Sequence, residues 1–261
     1  MVFVDTLIAV LAMMFVVWLI SLVKNDVSIV DAFWGPGFLL VAAVAWAAGQ
    51  GFPLRGALLL ALVGIWALRL GLYLLWRNLQ AGEEDYRYRK MRERWGAKFP
   101  AVSLGTIFFF QGLLVWFISL PLQVTELAAE PRRLTWLDGL GVALWLIGFV
   151  FESVGDWQLA RFKADPANQG KVLDHGLWRY TRHPNYFGDF MIWWGFFAIA
   201  LATPGGWKTV LSPLLMSFFL LRVSGVALLE KKLTKTRPRY ADYVRRTNAF
   251  FPGPPKPAEK R

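Results

Sequence analysis

The residues with chemistry to offer stand in a few short stretches. The densest runs Gly176-Leu177-Trp178-Arg179-Tyr180-Thr181-Arg182-His183-Pro184-Asn185-Tyr186-Phe187-Gly188-Asp189. Proline after His183 keeps that histidine out of the α region and starts a helix close by. A helix N-terminus flanked by Arg179 and Arg182 suits an anion, because free backbone N–H groups and the helix dipole add to the guanidinium charges. Trp178, Tyr180 and Tyr186 add flat faces for an aromatic ligand. The same stretch would also serve as a basic anchor with interfacial aromatics. Upstream, Glu152, Asp156 and Lys163 are spaced by four and seven, which puts them within an arc of roughly 40° on a helix. They form one polar stripe, fit either for a ligand or for an interhelical salt-bridge line. Asp31 lies in Val30-Asp31-Ala32-Phe33-Trp34-Gly35-Pro36-Gly37, where glycines and proline are expected to loosen or kink a helix. Its plainer reading is an acid in a first helical turn, favoured by the dipole. Arg69 and Arg222 are further cations inside apolar runs.

These groups need elements to hold them, and the composition says which kind. The chain has 261 residues, 56% hydrophobic and 18% charged, against about a quarter charged in a soluble domain. Runs long enough to span a bilayer, about 20 residues each, lie near 4–23, 29–48, 56–76, 104–124, 136–158, 187–204 and 207–229. The fold class expected is an all-α integral membrane protein, a bundle of about seven transmembrane helices with cytoplasmic loops forming a site. The N-terminus lacks the basic start of a signal peptide, so the first run reads as a retained helix. Between the spans, Glu83-Glu84-Asp85-Tyr86-Arg87-Tyr88-Arg89-Lys90 alternates in sign, and Tyr86 to Trp95 predicts an interfacial amphipathic helix that docks Lys90, Arg92 and Arg94 on the membrane surface.

Charge sets the orientation and excludes some functions. With the N-terminus outside, inner segments hold 23 Lys and Arg and outer segments four, the asymmetry of a cytoplasmic C-terminus. A net charge of +11 would suit nucleic acid, but such a binder needs neither long apolar runs nor fourteen tryptophans. No nucleic-acid partner is expected, and no protein partner can be inferred. The absence of cysteine removes thiolate chemistry and Cys-based metal sites. His175 and His183 lack the spacing of a helical zinc motif, so no metal site is expected.

The residues from Glu152 to Gly195 resemble the C-terminal domain of steroid 5α-reductases. The likeness is carried by Asp156-Trp157-Gln158, Phe162-Lys163, Asn168-Gln169-Gly170-Lys171, Gly176-Leu177-Trp178-Arg179-Tyr180 and Arg182-His183-Pro184-Asn185-Tyr186-Phe187-Gly188. It continues through Glu230-Lys231-Lys232-Leu233, Arg237-Pro238-Arg239-Tyr240, Tyr243 and Phe250-Phe251-Pro252. Arg77-Asn78 and Glu84-Asp85-Tyr86-Arg87-Tyr88 look like a bacterial branch of that superfamily, so the resemblance covers most of the chain. It implies a single membrane domain over 1–261, with residues 1–100 on the substrate side and 135–261 binding cofactor.

The resemblance implies NADPH as cofactor and hydride addition to the alkene of an enone in a lipid-like substrate. Carried over by position, Asp156, Asn185 and Tyr186 would line the cofactor pocket. Arg179, Arg182 and His183 would face phosphates, while Glu230, Tyr240 and Tyr243 would close the pocket from the tail. Lys163, Asn168, Tyr180, Asp189 and Arg237 belong to the same cofactor set. Characterised relatives engage the substrate carbonyl through a glutamate on the second helix and a tyrosine on the third. Here the second helix offers Asp31, spacing back from Arg69 puts Trp66 at the tyrosine's place, and Tyr73 is the nearest phenol. Asp31 and Tyr73 are therefore the expected catalytic pair. Two other functions stay open: an S-adenosylmethionine-dependent methyltransferase of the isoprenylcysteine or phospholipid type, and a non-enzymatic lipid-binding protein. The expected setting is a bacterial inner membrane, with membrane lipids as surroundings.

Overall fold

The computed structural model describes residues 1–223, 230 and 240–256. Among them, all regular structure is helical, as the apolar periodicity requires. The chain divides into two compact units, one of Met1–Asp138 with Ala200–Ser212, the other of Gly139–Ile199 with Pro213–Arg261.

In the first unit, α1 (Val2–Lys24) stops where Asn25 enters the left-handed region at φ 52°. A 3-10 helix over Val27–Phe33 follows, capped by the Asp26 carboxylate, which accepts from the Ser28 amide at 2.8 Å. It leads into α2 (Trp34–Ala48), so Asp31 sits in a tight turn ahead of α2. Gly35 and Gly37, expected to loosen this region, instead permit close packing. A Cβ on Gly35 would stand 2.7 Å from the Ala67 carbonyl oxygen of α3 (Pro53–Ala81), and one on Gly37 would stand 3.2 Å from Val115. Trp66 is fully buried, with its ring 5.7 Å from that of Phe38.

The first turn of α3 holds Arg55, which is wholly buried and pairs with Asp138 at 2.7 Å. Its other donors reach the carbonyls of Pro131 at 3.1 Å and Arg133 at 2.7 Å. One guanidinium thereby satisfies backbone acceptors of the link that follows α7. At the opposite end of α3 comes α4 (Tyr86–Trp95), the amphipathic helix expected from the sequence, with Asp85 as its cap and Gly96 as its stop. The expected span at 104–124 is interrupted: α5 (Phe99–Ser103) runs into a π-helical stretch, Leu104–Phe109, then α6 (Phe110–Ile118) and α7 (Leu120–Leu127). Pro121 lacks the N–H needed to extend the α6 ladder, and the chain restarts at Ser119. Near the end of α7, Glu126 is 2% exposed and neither carboxylate oxygen has a hydrogen-bond donor among the described residues. Its side chain lies against Gly56, where a Cβ would come within 2.5 Å of Oε2 and close to the Trp46 ring. Burial pushes this carboxyl up to about 8.

The second unit is organised by α8 (Trp136–Ala164) and α9 (Pro184–Leu201). Gly141, Gly148 and Gly155 recur every seven residues on α8, and Gly188 and Gly195 do so on α9. A Cβ on Gly148 would lie 2.5 Å from the Gly188 carbonyl oxygen, one on Gly188 2.4 Å from the Glu152 amide, and one on Gly195 2.7 Å from the Gly141 carbonyl oxygen. The helices touch backbone to backbone, a packing that membrane helices favour because no hydrophobic effect drives them together in lipid. Beyond α9 stand α10 (Leu211–Phe218), a π-helical turn over Phe219–Val223, and α11 (Tyr240–Arg246).

Five described helical segments are long and apolar enough to cross a membrane: Val2–Lys24, Val27–Ala48, Pro53–Ala81, Tyr86–Ile118 and Trp136–Ala164. Seven were expected. The sixth coincides with α9, a helix that falls short of that measure because its first turns carry Asn185, Tyr186 and Asp189. The seventh begins as α10, and the remainder of 207–229 past Val223 lies outside the described residues.

Two outcomes follow from this packing. Gly188→Ala drives a methyl group into the α8 backbone and should abolish recovery of monodisperse protein in detergent, whereas Gly139→Ala, with open space around its Cβ, should not. Glu126 binds its proton more tightly when folded than when unfolded. Its contribution to stability is complete below the ordinary glutamate range and is lost as pH rises through about 8. Thermal unfolding of the wild type should therefore shift to lower temperature between pH 6 and pH 9, and Glu126→Gln should flatten that dependence.

Candidate functional site

In the second unit the α8 stripe and the start of α9 come together because the glycines let them. A Cβ on Gly155 would be 3.1 Å from the Asn185 amide and equally close to Pro184. That proximity places Asn185 Nδ2 3.1 Å from Asp156 Oδ1, while Asn185 Oδ1 accepts from the Tyr186 amide at 3.1 Å. Glu152 and Asp156 are buried, and Lys163 at the far end of the stripe is exposed.

A 3-10 turn over Gly176–Arg179 is fixed to α8. Gly176 has φ 61°, and a side chain there would collide with Gln158, whose Oε1 accepts from the Leu177 amide at 3.0 Å. Trp178 donates its indole N–H to the Gly155 carbonyl at 3.1 Å, and the Tyr243 hydroxyl donates to the Trp178 carbonyl at 2.5 Å. The turn thus presents Arg179 and Tyr180 outward, both exposed.

Arg182 and His183 do something else. Arg182 is 8% exposed; its Nε pairs with Glu230 at 2.7 Å, and Nη1 donates to the carbonyls of Val244 and Thr247 at 3.1 and 2.9 Å. Its backbone amide donates to the Asn248 carbonyl at 2.9 Å. His183 Nε2 lies 3.2 Å from the same Glu230 oxygen, and its ring stacks on Tyr186 with centroids 5.7 Å apart. The sequence placed Arg182 against phosphate; the structure commits it to the chain's own carbonyls. Burial raises the Glu230 carboxyl, but hydrogen bonds from His183 and Arg182 and the guanidinium charge outweigh it and hold the group below the usual glutamate range. Burial, then the Glu230 charge, pushes the Tyr240 phenol up to about 12. Tyr240 and Tyr243 are buried, their ring centroids 5.8 Å apart.

Of the other expected cofactor residues, Asn168 is turned back to the end of α8, donating to the Phe162 carbonyl at 3.1 Å. Asp189 is half-buried on α9. Arg237 lies outside the described residues. The sequence reading did not single out the closing strap: Thr181 Oγ1 donates to the Phe250 carbonyl at 2.7 Å, and the Gly253 amide to the Tyr180 carbonyl at 3.1 Å.

The first unit carries a polar cluster of its own. Asp31 Oδ1 accepts from the Tyr88 hydroxyl at 2.9 Å and Oδ2 from Arg87 at 3.2 Å, with Arg77 at 4.0 Å. Gln111 Nε2 lies 3.4 Å from the Tyr88 oxygen. Asp31 therefore has a phenol beside it, but that phenol is Tyr88, which the sequence reading missed. Tyr73 lies under the Arg69 guanidinium, 5.9 Å from its ring centroid. The signal for Tyr88 was present: on an amphipathic α4 it falls on the face opposite Lys90 and Arg94. Glu84 and Asp85 lock the cluster in place. Glu84 accepts from Arg92 at 2.8 Å and the Val27 amide at 2.9 Å, and the Asp85 amide donates to Ser28 Oγ at 2.7 Å. Burial raises the Glu84 carboxyl, and the bonds from Arg92 and Val27 more than reverse it.

Arg182 and Arg179 should therefore behave oppositely when changed. Arg182→Gln leaves Glu230 without its guanidinium and two carbonyls without donors, and breaking a buried pair costs about 3–5 kcal/mol. A large fall in thermal stability in detergent is expected. Arg179→Gln should leave the unfolding temperature unchanged.

Comparison with known proteins places these motifs in a family. The family described as "Protein of unknown function (DUF1295)" matches residues 17–247. An uncharacterised protein of the fission yeast Schizosaccharomyces pombe is 26% identical over 266 residues, covering 91% of this chain and 76% of the relative. No solved structure matches. The match takes in α2 to α11, with both the Asp31 and the Arg182 clusters, and the chain belongs to this steroid 5α-reductase-like family.

Proposed function

We propose that this multi-pass membrane protein is a reductase that uses NADPH to reduce a conjugated carbon–carbon double bond in a lipid, such as a steroid- or isoprenoid-like enone. The observation that carries the proposal is the outward Arg179–Tyr180 turn, fixed to α8 by Gln158 and Gly155. In the same unit the Asp156–Asn185 pair is held by the glycine contact. The chemistry of this donor set fits a dinucleotide: an exposed guanidinium with Lys163 and Lys171 for phosphates, an exposed Tyr180 ring for stacking, and an amide and carboxylate for hydrogen bonding. NADPH, when bound, supplies hydride to the far carbon of the enone.

In the first unit, the Tyr88 hydroxyl, held beside Gln111 and Arg87, is the donor for a carbonyl oxygen once it exchanges its hydrogen bond to Asp31 for one to the substrate. Such a donor stabilises the enolate charge where the dielectric is low. The charge split of 23 against four supports an N-terminus outside and a cytoplasmic C-terminus in a bacterial inner membrane.

Titrating detergent-purified protein with NADPH, NADH and S-adenosylmethionine tests the reading. NADPH should bind more tightly than NADH, because the clustered cations pair with its 2′-phosphate. Arg179→Gln should weaken NADPH about tenfold or more, as charge-assisted hydrogen bonds contribute about 1.5–3 kcal/mol. Tyr88→Phe should leave that affinity in place and lower enone turnover by about 10²–10⁴-fold. Equal affinity for the two nicotinamide cofactors counts against the assignment, and tight S-adenosylmethionine binding overturns it in favour of methyl transfer.

A further inference from the structure

Helix α4 has two faces with different fates. On one, Tyr88 is buried against Asp31, Arg87 pairs with Asp31 and Asp85, and Arg92 pairs with Glu84 while stacking 4.5 Å over Phe99. Arg92, expected from the sequence to dock on the membrane, is thus committed internally. Arg89 pairs with Glu83 at 2.8 Å. The other face presents Tyr86, Lys90 and Arg94 at intervals of four, one line along a helix. All three are exposed, as are Trp95 and Lys98 just beyond. Lys90 and Arg94 make no ion pair among the described residues; each lies instead 5.9 Å from an aromatic centroid, Lys90 over Tyr86 and Arg94 over Trp95. Glu93 is the one acid within α4.

The position of this face identifies what covers it. α4 begins five residues after α3 ends, and the last turns of α3 still expose Leu75, Trp76 and Leu79, side chains suited to lipid. A few residues after α4 the chain enters the apolar run from Phe99 to Ile118. α4 is the charged N-terminal end of the 33-residue segment Tyr86–Ile118, which is longer than the roughly 20 residues a bilayer needs, so its charged turns fall at the polar margin of that span, at headgroup depth. Trp76 and Trp95, 47% and 42% exposed, are the residue type that marks that depth.

We propose that the Tyr86–Lys90–Arg94 face of α4, extended by Trp95 and Lys98, is a binding surface for anionic phospholipid headgroups. The two cations held above aromatic rings meet headgroup phosphates, and the rings sit at the carbonyl level of the leaflet. A zwitterionic headgroup offers the same phosphate but cancels its charge, so the surface discriminates by net charge.

The test uses the full chain in detergent micelles, with phosphatidylglycerol or phosphatidylcholine added and the bound lipids resolved by native mass spectrometry. Lys90→Gln/Arg94→Gln is compared with a charge-matched control, Arg133→Gln/Lys208→Gln. Unfolding temperatures measured without added lipid confirm that both variants fold. The wild type should bind phosphatidylglycerol in preference to phosphatidylcholine. The α4 variant should lose roughly fivefold in affinity per charge removed, the effect of a cation near an anionic surface. The control should bind as the wild type does. No loss in the α4 variant, or equal loss in both variants, overturns the proposal.

Discussion

Backbone contact between α8 and α9 is the constraint on which the second unit depends. Glycines at heptad spacing bring the two helices close enough for the Glu152 amide to lie beneath Gly188. No larger residue fits there. The consequence reaches beyond packing: Asp156 and Asn185 can bond only because Gly155 lets the first turn of α9 rest on α8. A polar pair within an apolar bundle is costly unless each member is satisfied, so the contact that supplies the partner also makes the stripe tolerable.

The loop after α8 is held by the same logic. Its 3-10 turn buries Trp178 and is tied at three points, by Gln158, by the Gly155 carbonyl and by Tyr243. Rigid attachment of a turn whose Arg179 and Tyr180 side chains remain exposed is what a ligand site requires. Binding then costs little ordering of the chain.

Much of this was legible in the sequence, because the strongest signals were periodic. The apolar runs located α1 nearly to its ends and α2, α3 and α8 with one end five or six residues off, and alternating charge located α4 from Tyr86 to Trp95. What escaped reading depended on contacts distant in sequence. The interruption at Ser119 was readable from Pro121 but was overridden by the apolar run. Gly35 and Gly37 read as helix-loosening in a linear chain, where their neighbours Ala67 and Val115 are invisible. Tyr88 does not stand out over Tyr73 in the sequence, because spacing along α3 says nothing about which helix folds back on Asp31. Likewise Arg182 was grouped with Arg179, since two arginines three apart look alike until Glu230 and the carbonyls of Val244 and Thr247 are placed around one of them.

That difference between neighbouring arginines has a general cause. A guanidinium carries five donors and no acceptor, so where a loop leaves membrane helices and its carbonyls are shielded from water, one arginine can satisfy several at once. Arg55 does this for Pro131 and Arg133 while holding Asp138. Arg182 does it for Val244 and Thr247 while holding Glu230. In each case the carboxylate balances the charge and two carbonyls take further donors, and the group is buried besides, so it has little capacity left for an outside anion. Counting basic residues therefore overstates the ligand-binding surface of a strongly cationic membrane protein. The cations that matter for ligands are those whose donors the fold leaves uncommitted, among them Arg179 on the fixed turn, and Lys90 and Arg94 on the outer face of α4.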